Sequence, residues 1–375
     1  MSAEAIARPL PVAHSPAVLT VVVPTFNERA NVAEIVARLE RVLADFAWEV
    51  IFVDDDSPDR TAEAVKVIAA HDSRVRCLKR VGRRGLAGAC IEGMLASSAP
   101  YVAVMDADLQ HDETILPKML AALIGNEADL VVGSRYIAGG SAASFTAERA
   151  KFSRAATGMA RRLLGVALAD PMSGFFMLKR EKLDDIAGEL SPVGFKILLD
   201  IVLTARSKLR VIEIPYRFRP RRFGESKFDV AIGLEFVGLA LAKISGGSIG
   251  PRFISFSLVG TTGLAVHLAV LRLALASFTR NFAIAQAVAT FVSMLSNFLL
   301  NNRLTYHDRR LTGKSLITGF LGFCLIGSVG ALTNVGLASW IYAERPTWWL
   351  AGTAGSIMGA LWNYSMSNQF VWRAR

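Results

Sequence analysis

The chain is expected to fold as an α/β domain with a largely parallel sheet, followed by an all-α domain of four transmembrane helices. Two observations predict this. Residues 18 to about 225 alternate short apolar runs with amphipathic helical patterns. The last third has four long stretches without Asp, Glu, Lys or Arg, namely Phe253 to Leu271, Asn281 to Asn302, Ser315 to Ala343 and Pro346 to Trp372. Each approaches the roughly 20 residues a helix needs to cross a hydrocarbon core about 30 Å thick. The alternative, a buried soluble bundle, is disfavoured because core helices seldom lack a charged face over four consecutive segments.

Composition divides the same way. Of 375 residues, 52% are hydrophobic and 20% charged, and mean hydropathy is +0.38. The formal charge of +10 is uneven. Residues 1–249 hold 32 Lys and Arg against 30 Asp and Glu, whereas residues 250–375 hold 10 against 2. The basic excess therefore belongs to the apolar third, and a diffuse nucleic-acid-binding charge does not explain it. Arg303, Arg309, Arg310 and Lys314 between the second and third stretches, with Arg373 and Arg375 at the end, place that loop and both termini on the inner side. Cys77, Cys90 and Cys324 have no metal-like spacing, and their odd number suggests no disulfide framework, as in a reducing compartment.

The elements follow in order. Met1 to Ala17, with Pro9, Pro11 and Pro16, reads as a disordered tail rather than a secretory signal. Leu19 to Val23 is a β-branched strand stopped by Pro24, and Ala30 to Leu43 sets Val32, Ile35, Val36, Leu39 and Val42 at helical spacing. Val50 to Val53, Val75 to Leu78, Tyr101 to Met105 and Leu130 to Val132 are further strands. Thr61 to Ala69 and Gly85 to Ala96 are the intervening helices. Asp229 to Ile244, within a 229–250 connection, reads equally as an interfacial helix or a linker helix.

Ligands of open parallel sheets bind at the carboxyl ends of strands. Three polar clusters fall there: Pro24-Thr25-Phe26-Asn27-Glu28, Asp54-Asp55-Asp56-Ser57 and Asp106-Ala107-Asp108-Leu109-Gln110. Any one of them could merely cap the next helix; three at one edge point to a site. Asp106 and Asp108, two apart at a strand end, lean to one face if the chain stays extended. Carboxylates converging without a neighbouring cation favour Mg²⁺ or Mn²⁺, whose shell is completed by water and phosphate oxygens. A metal-bridged diphosphate is the implied ligand, with the cation stabilising charge on a departing nucleoside diphosphate. His111 reads as a base or, more in keeping with its position, as a residue behind the site. A phosphate acceptor needs no base, and Arg135, Arg149 and Ser153 could hold it.

Taken in order, these clusters, with Gly133-Ser134-Arg135-Tyr136, Asp170-Pro171-Met172-Ser173-Gly174-Phe175-Phe176, Gly194-Phe195-Lys196 and Gly224-Glu225-Ser226-Lys227, resemble the polyprenol (dolichol) phosphate mannose synthases. These are inverting family-2 glycosyltransferases of GT-A (Rossmann-like) fold. Phe256-Ser257-Leu258-Val259-Gly260 and Ser296-Asn297-Phe298 are similar to a four-helix GtrA-like membrane domain. The resemblance implies a GT-A domain over 18–228 and a membrane domain over 251–375. It implies that Pro24, Phe26, Glu28, Asp54 and Asp55 contact the donor, that Asp106, Asp108 and Gln110 surround the metal, and that Arg135, Arg149 and Ser153 hold the lipid phosphate. Lys196 and Arg221 or Arg222 would contact donor phosphates; Phe26 stands where the family often has Tyr. The implied reaction moves mannose from GDP-mannose to a polyprenyl or dolichyl phosphate at the cytoplasmic face of the inner membrane. A UDP-sugar donor, or a glycolipid transport role for the helices, are the alternatives; Arg272, near a helix end, is the sole charge within the spans on which transport could draw.

Overall fold

The computed structural model describes residues 16–141, 158, 168–192, 196–205, 208–220, 250–277, 279–344 and 347–373. Arg149, Ser153, Arg221, Arg222 and the 229–244 helix lie outside the described residues.

The N-terminal half is built on β1 (Leu19–Thr25), α1 (Val32–Val42), β2 (Trp48–Asp54), α2 (Thr61–Ala69), β3 (Val75–Lys79), α3 (Leu86–Leu95) and β4 (Tyr101–Val104). It continues through α4 (Leu116–Ile124), β5 (Leu130–Ser134), β6 (Phe176–Lys179), α5 (Arg180–Asp184), α6 (Ile197–Thr204) and β7 (Val211–Pro215). The seven strands lie in the order β3-β2-β1-β4-β6-β5-β7. All neighbours are parallel except β6, which runs antiparallel between β4 and β5. Strand order reverses at β1, so a crevice opens between β1 and β4 at their carboxyl ends.

Pro24 does not stop the first strand. Its register with Val53 continues to Thr25 opposite Asp54. The Val22 carbonyl accepts from Met105 N, so the Pro24 nitrogen, two residues on, faces the same β4 side, where strand pairing has just ended. The missing N–H therefore breaks no ladder bond.

Both faces of the sheet are covered. Val21 and Val23 of β1 pack with Val32, Ile35 and Leu39 of α1 and with Leu116, Met119 and Leu120 of α4. Val22, between them in sequence, points the other way, into Ile51, Val53, Met94 of α3 and Leu198 of α6. α3 lies flush on the sheet because of Gly93, where a Cβ would fall 2.4 Å from a Val22 methyl.

The membrane half has four helices, α7 (Pro251–Ser277), α8 (Phe282–Leu300), α9 (Lys314–Glu344) and α10 (Trp348–Met366). Among the described residues three segments are long and apolar enough to cross a bilayer: Arg252–Ser277, Ile284–Thr305 and Lys314–Leu332. α10 fills the place of the fourth expected span with 19 residues, and is not one of those three. Leu264, Leu268, Leu321, Leu325 and Leu332 stand exposed along the bundle, as a lipid-facing surface requires.

The bundle is an internal duplication. Phe253-Ile254-Ser255-Phe256-Ser257-Leu258-Val259-Gly260-Thr261-Thr262-Gly263 in α7 is repeated as Phe320-Leu321-Gly322-Phe323-Cys324-Leu325-Ile326-Gly327-Ser328-Val329-Gly330 in α9. Asn297-Phe298 and Tyr306 recur as Asn363-Tyr364 and Trp372. The geometry repeats too: Gly263 admits the Asn297 amide against its helix, and Gly330 admits Asn363. Each second helix ends in a π-helical turn, Asn301–Thr305 and Ser367–Val371. The two copies meet where Tyr306 stacks on Trp372, centroids 4.2 Å apart and planes 4° apart. Asn302 Oδ1 closes that joint by accepting from Trp372 Nε1 at 3.0 Å.

Candidate active site

The crevice has two ends. At the β1–β2 end, Asp54 is fully buried and its carboxylate accepts from Ser57 N at 3.0 Å, Ser57 Oγ at 2.5 Å and Thr25 Oγ1 at 3.2 Å. Ser57 Oγ in turn accepts from the backbone N–H of Asn27, a residue in left-handed conformation (φ 60°). Asp54 thus shapes the loop that carries Phe26 and Glu28. Asp55 is clasped by Arg80 Nη1 at 2.5 Å and by Gly85 N at 2.7 Å. Burial pushes the Asp55 carboxyl above the ordinary carboxylate range, against the pull of Gly85 and Arg80. Glu28 accepts from Asn31 Nδ2 at 2.7 Å, and the Arg84 guanidinium lies 4.6 Å over the Phe26 ring. That stacking uses the ring face alone, so the Phe-for-Tyr difference leaves it intact.

At the β4 end the extended conformation stops at Val104, and residues 106–109 form a turn in which Leu109 has φ 61°. The carboxylate pair is therefore presented by a turn, not by the continuing strand expected from its spacing. The Asp106 side chain keeps 36% of its surface accessible, while Asp108 is buried and accepts from Gln110 N at 3.2 Å. The Gln110 side chain donates to the Arg219 carbonyl at 2.9 Å, tying this turn to the chain leaving β7. Burial raises the Asp106 carboxyl, Asp108 adds to the rise, and Lys196 and Arg135 oppose it from within electrostatic reach.

His111 is a positioning residue. Its Nδ1 accepts the Asp106 backbone N–H at 3.2 Å, which puts the ring proton on Nε2, 3.6 Å from Asp106 Oδ2. The ring stacks on Phe175 at 5.1 Å. Burial lowers its pKa, which favours the neutral ring, against the pull of Asp106 and Asp108.

Arg135 is buried and grips Asp170 bidentately, Nε to Oδ2 and Nη2 to Oδ1, each at 2.7 Å. Burial works against its charge, but Asp170 more than offsets this and raises the guanidinium pKa. Asp170 is itself anchored through its N–H, which donates to Glu213 at 3.0 Å. The rest of the Asp170–Phe176 segment completes the knot. Ser173 Oγ donates to the Gly133 carbonyl at 2.7 Å, Gly174 lets Asp106 approach where a Cβ would lie 2.7 Å from Oδ2, and Phe175 supports His111.

The structure therefore brings Asp106, Asp108, Arg135 and Lys196 together, with Glu28, Asp54 and Asp55 along the same sheet edge. No role for Asp170, Arg80 or Gly174 is read from the sequence. The available signal is that an arginine at a buried strand end requires a buried carboxylate, and Asp170 opens an acidic motif that has no other role. Among the described residues no three His, Cys, Asp or Glu side chains converge. Two carboxylates beside an open cleft nevertheless fit Mg²⁺ or Mn²⁺, which takes one or two protein carboxylates and its other oxygens from water and phosphates.

A mixed sheet with acidic turns at its switch point, followed by a membrane bundle, has the layout of a membrane-bound glycosyltransferase. Comparison supports this: residues 20–187 match the model of Glycosyl transferase family 2, and residues 255–372 that of the GtrA/DPMS transmembrane domain. The dolichol-phosphate mannosyltransferase of Pyrococcus furiosus is 32% identical over 94% of this chain and 99% of its own length. The Saccharomyces cerevisiae dolichol-phosphate mannosyltransferase is 32% identical over 58% of this chain and 84% of its own. The Micrococcus luteus undecaprenyl-phosphate mannosyltransferase is 32% identical over 63% and 96%. The chain belongs to the dolichol-phosphate mannosyltransferase family.

Proposed function

We propose that the protein transfers mannose from GDP-mannose to a polyprenyl or dolichyl phosphate, with inversion, at the cytoplasmic face of the cell membrane. The observation that carries this reading is the end-to-end similarity to a two-domain relative, together with a cluster of Asp106, Asp108, Arg135 and Lys196 at the crevice. The nucleoside end of the donor lies toward Pro24, Phe26, Glu28, Asp54 and Asp55. The diphosphate lies toward Asp106 and Lys196, with Arg221 or Arg222. An oxygen of the acceptor phosphate forms the new bond to the anomeric carbon while the bond to the diphosphate oxygen breaks. The leaving group takes that electron pair and GDP departs. No base is needed, because the acceptor is ionised at neutral pH.

Arg149 and Ser153 hold the acceptor phosphate. Arg135, fixed by Asp170, supplies a cation that cannot collapse onto Asp106, and this preorganised charge lowers the barrier. Mg²⁺ or Mn²⁺ held by Asp106, Asp108 and Gln110 would neutralise charge on the departing diphosphate. Orientation follows from the basic residues between α8 and α9, which stay on the inner side.

The test is incubation of detergent-purified protein with a polyprenyl phosphate, Mn²⁺ and a panel of GDP- and UDP-sugars, read by mass spectrometry. Polyprenyl phosphate mannose formed from GDP-mannose alone is the expected product. Transfer from a UDP-sugar would replace the donor assignment, and transfer from none would overturn the enzymatic reading.

A further inference from the structure

A cavity of about 1540 Å³ lies between the catalytic domain and the polar rim of the membrane bundle. It exceeds the roughly 300–1,000 Å³ of ordinary small-molecule pockets. Arg83 and Arg84 line its catalytic wall, and Arg252, Arg309, Arg310 and Arg373 its membrane wall. Among the described residues two carboxylates share the lining, and both are already engaged: Asp308 by Arg252 at 2.7 Å and Asp56 by Lys79 at 3.0 Å. Among the described residues neither Arg84 nor Arg310 has a carboxylate partner. Beyond this cationic end the wall becomes apolar, with Leu325, Ile326, Val329, Trp362 and Phe370 between α9 and α10. Leu325 is 69% and Phe370 55% exposed, so the apolar end opens onto the surface a bilayer covers.

This cavity is amphipathic along its length, and it is not where the acceptor reacts. Arg80 follows β3 and Arg135 ends β5, five strand positions away in the sheet. At about 4.8 Å per strand that is about 24 Å. The Arg84 guanidinium reaches back over Phe26 at the end of β1, three strand positions from β5, so a phosphate beside it is still separated by about 14 Å from one near Arg135.

We propose that the cavity binds an anionic phospholipid of the bilayer, its phosphate between Arg84 and Arg310 and its chains along α9 and α10. Basic pockets at the end of a helical bundle bind such headgroups. The Arg84 loop and Arg80 also frame the Asp55 clasp, so an occupant braces the nucleoside end of the crevice against the membrane domain.

The full-length protein is purified and reconstituted in phosphatidylcholine nanodiscs containing phosphatidylglycerol, and retained lipid is counted by native mass spectrometry after delipidation. The wild type retains phosphatidylglycerol. The Arg84→Ala/Arg310→Ala double variant binds it about tenfold or more weakly, and the Lys/Lys counterpart keeps it. Gly322 lines the apolar end with room for a side chain, its nearest neighbour a Val371 methyl 3.6 Å from an added Cβ. Gly322→Leu leaves every charge in place and also releases the lipid. Retention unchanged in either the double-alanine or the Gly322→Leu variant would overturn the site. Displacement of bound phosphatidylglycerol by stoichiometric polyprenyl phosphate would overturn the assignment to a bilayer phospholipid. The readout is binding, so it stands apart from whether GDP-mannose is the donor.

Discussion

Asp170 holds Arg135 through two parallel hydrogen bonds of 2.7 Å, with neither side chain more than 7% exposed. The pair links the end of β5 to the segment entering β6, and so fixes one wall of the crevice. Removing one member leaves the other charge buried and unmatched, which typically costs about 3–5 kcal/mol. Asp170→Asn is expected to lower the thermal unfolding midpoint of the purified protein clearly and to reduce transfer. An unchanged midpoint would show that the pair contributes no stability.

Gly174 tests the geometry of the acidic turn. Adding one methyl there places a carbon 2.7 Å from Asp106 Oδ2, so the carboxylate must move. Displacements of that order cost about 100-fold in rate when they affect a reacting group's alignment. Gly174→Ala is expected to depress kcat by about that factor with the unfolding midpoint nearly preserved; steady-state kinetics with saturating donor decide it.

The pH dependence of stability reports on His111. Burial lowers its pKa below the ordinary value of 6.5, so as pH falls through 6.5 the unfolded chain takes up a proton that the folded chain refuses. Its contribution to stability therefore falls with pH below about 6.5 and is level above it. His111→Phe removes this dependence and keeps the stack on Phe175, but leaves the Asp106 N–H without its acceptor. A flatter stability profile between pH 5 and 7 with a lowered kcat is the expected pair of results.

Asp108→Ala is expected to abolish transfer while the protein remains folded, judged by gel filtration and circular dichroism. Full activity in that variant, with no dependence on Mg²⁺ or Mn²⁺, would remove the carboxylate pair from the mechanism.

Much of this was legible from local pattern. The alternation of strands and helices reports burial on two faces of a sheet, and Asp54, Asp55, Asp106 and Asp108 sit at strand ends because loops there face the crevice. The duplication in the membrane half was equally present in the sequence, as two copies of Phe-x-x-Phe-x-Leu followed by Gly-x-x-Gly. It is easily overlooked where composition is uniformly apolar. Pro24 misled because proline usually ends a strand, and only the place where β4 stops pairing shows that its missing donor goes unneeded here.

By itself the sequence determined the class of fold, the division into a nearly neutral domain and a charge-poor bundle, and the positions of the acidic turns, because each follows from periodicity, charge and spacing along the chain. The tertiary structure alone decided which groups are bound to one another. That Arg135 is matched by Asp170, that Asp55 is clasped by Arg80, that Gly174 makes room for Asp106, and that His111 serves a backbone N–H are contacts between positions as many as 68 residues apart. Their strength comes from burial, which no single segment carries: a charge is held tightly only where the rest of the fold has removed the water that would otherwise compete for it.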